Sequence, residues 1–324
     1  MRLDLRALGT FNRLAHEGAE QAAASLGQLT ATEPRVDATA INLVAADGLG
    51  EAFGEGPFVG VRIGLEGGIA GDAVLAVVRE GAERLLANLP GADEPGLDEG
   101  RMAEVGNVLV GGFLDGWGDH IGSPIDITPP TYVEGTSENI VPVGRSADRD
   151  HEHLFAFSSE LALRSAALEL FIYLLPEKDS FERLVADPGG GNPMPVPVDT
   201  LVVFNHMTKE GAERASDNLT MLTGIETDVE VTQLSFVPVE DIATRIGDGR
   251  YVGVVIECMG LPGGYVLVLF EESSGRQVAE ELLETGMEGD EIEAMHRSAI
   301  QELGNIITSG LVDGWANVLG TAID

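Results

Sequence analysis

One block of sequence occurs twice in this 324-residue chain. The segment "EVGNVLVGGFLDGWGDHIGSPID" covers residues 104–126, and "ELGNIITSGLVDGWANVLGTAID" covers residues 302–324. Earlier in each copy, "FNRLAHEGAEQAAASL" at 11–26 matches "FNHMTKEGAERASDNL" at 204–219. The blocks keep their order while the offset grows from 193 residues (11 to 204) to 198 residues (104 to 302). The chain is therefore a tandem duplication in which loops have changed length and the order of elements has not.

A stretch rich in glycine and proline, "DPGGGNPMPVPVD" at residues 187–199, separates the two copies. Glycine and proline disfavour both helix and strand, so the stretch is typical of a linker. We predict a first domain at 1–186, a linker at 187–197 and a second domain at 198–324. A chain of this length can bury two separate cores.

Hydrophobic periodicity predicts the same order of helix, strands and helix in each copy. Asp98 is a candidate N-cap for the third helix of the first copy. The first copy continues with "HLFAFSSELALRSAALELFIYLLP", which predicts a hairpin of two long strands. The pattern indicates an α+β fold with helices on a mainly antiparallel sheet. In the first copy the predicted elements are a helix at 11–29, strands at 36–45, 58–65 and 73–78, a helix in "REGAERLLANL" and a helix at 98–117.

The second copy has no counterpart of that hairpin within the 324 residues. Two interpretations stay open: the sequence is a fragment, or another surface covers the edge of the second sheet. On the second interpretation we expect self-association.

Acidic residues outnumber basic ones by 54 to 19, which gives a net charge of −35. Only Lys178 and Lys209 are lysines. The composition is similar to that of proteins from salt-accumulating halophilic archaea. A polyanion has no electrostatic attraction to nucleic acid or to anionic membranes, so we expect neither as a partner.

Other site classes have little support in the sequence. Cys258 lies in an apolar run and is expected to be a buried thiol. The six histidines show no ligand spacing beyond "HEH" at 151–153, so we expect no metal site and no bound cofactor. No window reaches the roughly 20 apolar residues of a membrane helix, and the N-terminus has no signal-peptide core, so we expect a cytoplasmic protein.

The repeated helix carries a polar stripe in both copies. Glu104, Asn107 and Gly111 fall on one helical face, because residues three and seven apart share a stripe. The second copy repeats the stripe as Glu302, Asn305 and Ser309, again with a small third residue. Such a stripe can enter a partner's cleft, or it can be an ordinary solvated face that duplication has copied. Trp117 and Trp315 are expected to anchor the helices in the core.

These residues resemble the CheC/CheX/FliY family of chemotaxis phosphatases. The family pattern is Asp or Ser, three residues, Glu, two residues, Asn, 22 residues, Pro. The first copy matches it with Glu104, Asn107 and Pro130, and the second copy with Ser298, Glu302 and Asn305. Gly100 stands at the Asp/Ser position of the first copy, and the second copy ends before its proline. Where family members can carry another Glu and Asn on the first helix, this chain has Arg13 and His16, and His206 and Lys209.

The resemblance implies tandem CheC-like domains with the family's pseudo-twofold arrangement of helix-strand-strand repeats. It also implies hydrolysis of the aspartyl phosphate on a CheY-like response regulator. In that reaction each Asn would position an in-line water and each Glu would pair with the regulator's active-site lysine. Mg²⁺ would be held by the regulator. The alternative is a non-catalytic adaptor that binds the receptor deamidase CheD or the regulator.

The charge leads to a prediction about salt. We expect the melting temperature to rise between about 0.1 M and about 2 to 3 M KCl, because the Debye length falls from about 10 Å to less than about 3 Å and self-repulsion is screened. Circular dichroism melts at constant pH check this. A melting temperature that falls with KCl would contradict it.

Overall fold

The structure is a computed structural model that describes residues 2–45, 57–90, 96–140, 153–163, 168–186, 195–224, 234–237, 242–246, 249–258, 264–282 and 290–319. The chain forms two compact units. The first contains residues 1–198 and 232–245, and the second contains 199–231 and 246–324.

Helices and strands occur in mixed order along the described chain. In the first part they are β1 (Arg2–Asp4), α1 (Leu5–Thr30), β2 (Arg35–Ala45), β3 (Phe58–Gly67), β4 (Gly71–Val78), α2 (Arg79–Ala87), α3 (Glu99–Leu114), α4 (Trp117–Ile121), β5 (Ile125–Ile127), β6 (Thr131–Gly135), α5 (Ser137–Ile140), β7 (His153–Leu163), β8 (Leu168–Pro176) and α6 (Lys178–Ala186). From residue 195 they are β9 (Pro195–Pro197), α7 (Val198–Thr223), β10 (Leu234–Phe236), α8 (Ile242–Ile246), β11 (Tyr251–Cys258), β12 (Gly264–Glu271), α9 (Glu272–Leu282) and α10 (Asp290–Leu319).

The first unit is built on an eight-stranded antiparallel sheet in the order β10-β2-β7-β8-β4-β3-β5, with β6 also paired to β3. Helices α1 and α3 pack together on one face of this sheet. An apolar cluster that includes Val44, Phe58, Tyr173 and Ile140 fills the other face. The predicted strands and the β7–β8 hairpin are confirmed, and so is the α+β class.

Helices α1 and α3 touch through a glycine. A Cβ on Gly18 would overlap the backbone oxygen of Phe113, so only glycine permits this spacing. The second copy repeats the contact, where a Cβ on Gly211 would lie 2.6 Å from the backbone oxygen of Leu311. The duplicated glycines are therefore packing residues of the helix pair.

In the second unit, β11 and β12 form an antiparallel hairpin with α9 and α10 packed on one side. The alternating burial of β11 shows which side chains face the helices. On the opposite side, Val255, Tyr265 and Leu267 are exposed. Cys258 is buried, as predicted.

Two local predictions were wrong. The third helix of the first copy ends at Leu114 and not at 117, because Asp115 is extended and Gly116 adopts a left-handed φ of 87°. In the second copy the same Asp-Gly-Trp lies inside the continuous helix α10. The linker prediction also fails at its end, because Pro195–Pro197 form β9 and pair with β1. A proline can stand in a two-stranded edge where its missing N–H is not needed.

A strand of the second copy completes the sheet of the first unit. Strand β10 pairs antiparallel with β2, with Ser235 opposite Asn42. The Ser235 hydroxyl donates to Asn42 Oδ1 at 2.7 Å, and Asn12 Nδ2 donates to the backbone oxygen of Phe236 at 3.1 Å. These contacts account for the grouping of residues 232–245 with the first unit, whereas the sequence places all of 198–324 in a second domain.

The glycine contact predicts the effect of adding a methyl group. Gly18→Ala should lower the free energy of unfolding by about 1 to 3 kcal/mol, because the helices must separate. Gly9→Ala on the same helix is the control, because a Cβ there has no neighbour within 4 Å, and it should raise stability by up to about 1 kcal/mol. Urea titrations at high KCl measure both variants. Equal stability of the two variants would contradict the account.

Candidate functional site

Helix α3, the motif helix that carries Glu104 and Asn107, begins at a side-chain cap. Asp98 is the N-cap residue, and its carboxylate accepts a hydrogen bond of 2.8 Å from the backbone N–H of Arg101. This bond satisfies one of the N–H groups that a helix start leaves without a partner. The predicted cap is confirmed, and it fixes the helix six residues before Glu104.

One face of α3 is buried against the sheet, and this determines which residues the opposite face exposes. A Cβ on Gly106 would lie 2.7 Å from Cβ of Val61, so the helix rests directly on β3 at this glycine. Residues on the opposite side point to solvent, and both Glu104 and Asn107 are exposed. The buried residues of α3 are Met102, Val105, Gly106, Leu109, Val110, Phe113 and Leu114.

Two glycines on the outward side have no packing reason to be glycine. A Cβ on Gly111 would meet nothing within 4 Å, and a Cβ on Gly100 would meet only Asp98 Oδ1, at 3.3 Å. A glycine inside a helix costs roughly 1 kcal/mol relative to alanine. The outward surface around Glu104 and Asn107 therefore carries little side-chain bulk, and this leaves room for a partner to approach.

The second copy presents the same stripe. On α10 the side chains of Ser298, Glu302, Asn305 and Ser309 are exposed. The buried side begins with Leu303 and Gly304, and a Cβ on Gly304 would lie 2.8 Å from Cβ of Val254 on β11. Val254 is the repeat counterpart of Val61, so the helix has the same orientation on its hairpin in both copies.

Pro130 lies just before β6, which pairs with β3 on the flank of α3 that faces away from α1. Gly112 marks the opposite flank, since a Cβ there would lie 3.5 Å from Ala22 of α1. The strand that Pro130 precedes therefore lies on the flank of α3 that faces away from α1.

Tyr132 was not identified from the sequence. Its hydroxyl donates to Glu134 Oε2 at 2.9 Å, and the Glu134 carboxylate forms an ion pair with Arg79. Burial raises the pKa of the Tyr132 phenol, the Arg79 charge lowers it and the Glu99 charge raises it. The signal available in the sequence was an aromatic residue two positions after Pro130.

The tryptophans that follow the stripes are structural. Trp117 is fully buried, with its ring centre 5.4 Å from that of Phe157 and 6.2 Å from that of Phe11. Trp315 packs against Phe204 at 5.4 Å. The prediction of a core anchor is confirmed for Trp117, whereas Trp315 is half-buried.

The first helices carry no second Glu-Asn pair. Arg13 lies 3.9 Å from Glu17, and His206 lies 3.9 Å from Glu210, both as neighbours one turn apart. Within the described ranges, no group of three or more His, Cys, Asp or Glu residues is arranged to hold a metal ion. Among the same residues, every helix is too short or too polar to span a bilayer.

Two family models match the chain at the two stripes. The model described as "Chemotaxis phosphatase CheX" matches residues 59–149, and the CheC-like family model matches residues 295–324. A protein of Halobacterium salinarum strain R1, named CheC1 with a provisional assignment as a CheY-P phosphatase, is 42% identical over 130 residues. The match covers 40% of this chain and 67% of the relative. The chain belongs to the CheC/CheX/FliY family.

Solved structures of this family are also similar to the chain. FliY of Thermotoga maritima has a TM-score of 0.46 at 15% identity, over 56% of this chain and 97% of that protein. A CheC-like chemotaxis protein of Shewanella oneidensis has a TM-score of 0.37 at 14% identity, over 49% of this chain and 95% of that protein.

The exposure of the stripes predicts thiol reactivity. Cysteines introduced as Asn107→Cys and Asn305→Cys should react with a maleimide roughly tenfold or more faster than Cys258, which is 7% exposed. Mass spectrometry of the labelled protein measures the rates, and the unsubstituted chain is the control. A protected thiol at either new position would show that the stripe is covered in solution.

Proposed function

We propose that the chain hydrolyses the aspartyl phosphate of a CheY-like response regulator through its two outward stripes. The observation that carries the proposal is the same exposed Glu-Asn pair in both copies, Glu104 with Asn107 and Glu302 with Asn305, each beside a small residue. The name of the Halobacterium relative, which assigns CheY-P as a substrate, supports the choice of partner.

The asparagines suit the chemistry of phosphoryl transfer. That reaction needs positioning and charge compensation more than covalent catalysis. An amide can accept one proton of a water with its oxygen and donate with its nitrogen, and it loses no proton itself. Asn107 and Asn305 would hold the attacking water in line with the phosphorus, which supplies a large part of the rate by orientation.

The glutamates would anchor the helices. Side chains three apart on a helix have Cβ atoms about 5 to 6 Å apart, so Glu104 and Asn107 reach into one cleft together. A carboxylate paired with the regulator's lysine forms a charge-assisted hydrogen bond and does not repel the phosphoryl group. Glu302 would act in the same way for Asn305.

We assign Mg²⁺ to the regulator and no cofactor to this chain. The ion would neutralise charge on the phosphoryl oxygens, and the motif helix would bring only its water-positioning amide and its anchor. Both proteins would meet in the cytoplasm. Because both are expected to be acidic, concentrated salt would screen their repulsion and permit the encounter.

A second candidate function is a non-catalytic adaptor that binds CheD or the regulator. Gly100 favours it, because the exposed start of the first stripe lacks the Asp or Ser of the family pattern. The residues at the matching places of the first helices, Arg13 with His16 and His206 with Lys209, favour it too, because they leave no second Glu-Asn pair there.

The double substitution Asn107→Ala with Asn305→Ala separates the two functions. We expect the unsubstituted chain to accelerate decay of the phosphorylated regulator, with Mg²⁺ and about 2 to 3 M KCl. The double variant should bring the rate to within about twofold of spontaneous decay and leave regulator binding within about threefold.

The matched control is Asn88→Ala, which removes an exposed amide outside the stripes. It should leave the rate unchanged. Full turnover by the double variant would rule out the proposed mechanism. A folded protein that never accelerates the decay but binds CheD would establish the adaptor.

A further inference from the structure

The flank of α3 that carries Asn107 is lined by β6. Gly106 rests on Val61 of β3, and Tyr132 of β6 is the register partner of Val61. Tyr132 therefore lies one strand beyond the point where α3 touches the sheet. Neighbouring strands are about 4.8 Å apart, so Tyr132 is at the side of the helix.

Asn107 lies on this side of the helix. Consecutive residues are about 100° apart around a helix axis. Gly106 points at the sheet and Gly112 points at α1, so Asn107 points away from α1 and over β6. Helix α3 packs against β6, and the charge of Glu99 in the first turn of α3 raises the pKa of Tyr132.

Tyr132 is held in place from below. Its hydroxyl donates to Glu134 at 2.9 Å, and Arg79 holds the Glu134 carboxylate in an ion pair. The side chain is half-buried. The ring is thus fixed at both ends, by the backbone of β6 and by the bond to Glu134.

Asn107 has no such support of its own. In the part of the chain that the structure describes, its amide makes no hydrogen bond, and it is exposed. The rotamers of the Asn107 side chain are therefore limited only by neighbouring side chains. We propose that Tyr132 is a positioning residue for Asn107: the ring on the β6 flank confines the amide to the orientation that presents a water to the phosphoryl group. The inference rests on the proposed function and deepens it for the first copy.

The proposal is tested in variants in which only one copy keeps its asparagine, so that the measured turnover comes from that copy. In an Asn305→Ala background, turnover of the phosphorylated regulator comes from the first copy. Adding Tyr132→Ala should lower kcat about tenfold, because loss of orientation acts on the chemical step, and should leave KM and regulator binding within about twofold. Tyr132→Phe keeps the ring and should retain at least about half of kcat.

The second copy supplies the internal control. In an Asn107→Ala background, Tyr132→Ala should leave the second copy's turnover unchanged. Loss of turnover in both backgrounds would mean general destabilisation and overturn the proposal, as would an unchanged kcat in the first. A tenfold loss that Tyr132→Phe does not restore would also overturn it. If the Asn305→Ala protein shows no turnover before Tyr132 is changed, the proposed function of the first copy fails instead.

Discussion

The contact between the motif helix and the sheet at a single glycine determines the exposed surface of this chain. Gly106 on Val61, and Gly304 on Val254, bring the helix backbone directly against the valine side chain of a strand, because the glycine contributes no side chain of its own. That contact fixes the rotation of the helix about its axis. Once the rotation is fixed, residues two before and one after the glycine must point outward. The Glu-Asn pair is exposed in both copies because the glycine between them is buried.

Much of this arrangement could be predicted from the sequence. Alternation of apolar residues gives the strands, and Asp98 marks the helix start. The repeat indicates that the two stripes are equivalent. That the stripes form a functional site stays a prediction, because a docking surface and a solvated face are equally exposed. The open space beside Gly111 favours docking, since no internal neighbour requires a glycine there.

Other features depended on contacts that periodicity does not encode. The end of α3 at Leu114 follows from a left-handed Gly116, whereas the same Asp-Gly-Trp continues a helix in the second copy. Strand β10 joins the first sheet through Asn42 and Asn12, which are polar residues buried far from it in sequence. Tyr132 reaches the flank of α3 only because β6 pairs with β3. Such long-range pairings are set by tertiary structure and override local signals.

The central claim is that each outward glutamate enters the regulator's cleft and meets its lysine. A charge swap tests this most directly. Glu104→Lys with Glu302→Lys should weaken binding of the activated regulator at least about tenfold, because two buried cations would face each other, and this penalty should persist in concentrated KCl because buried pairs are poorly screened. Replacing the regulator's lysine with glutamate should restore the affinity to within a few fold. Affinity that is insensitive to the reversal, or that the swap does not restore, would contradict the account.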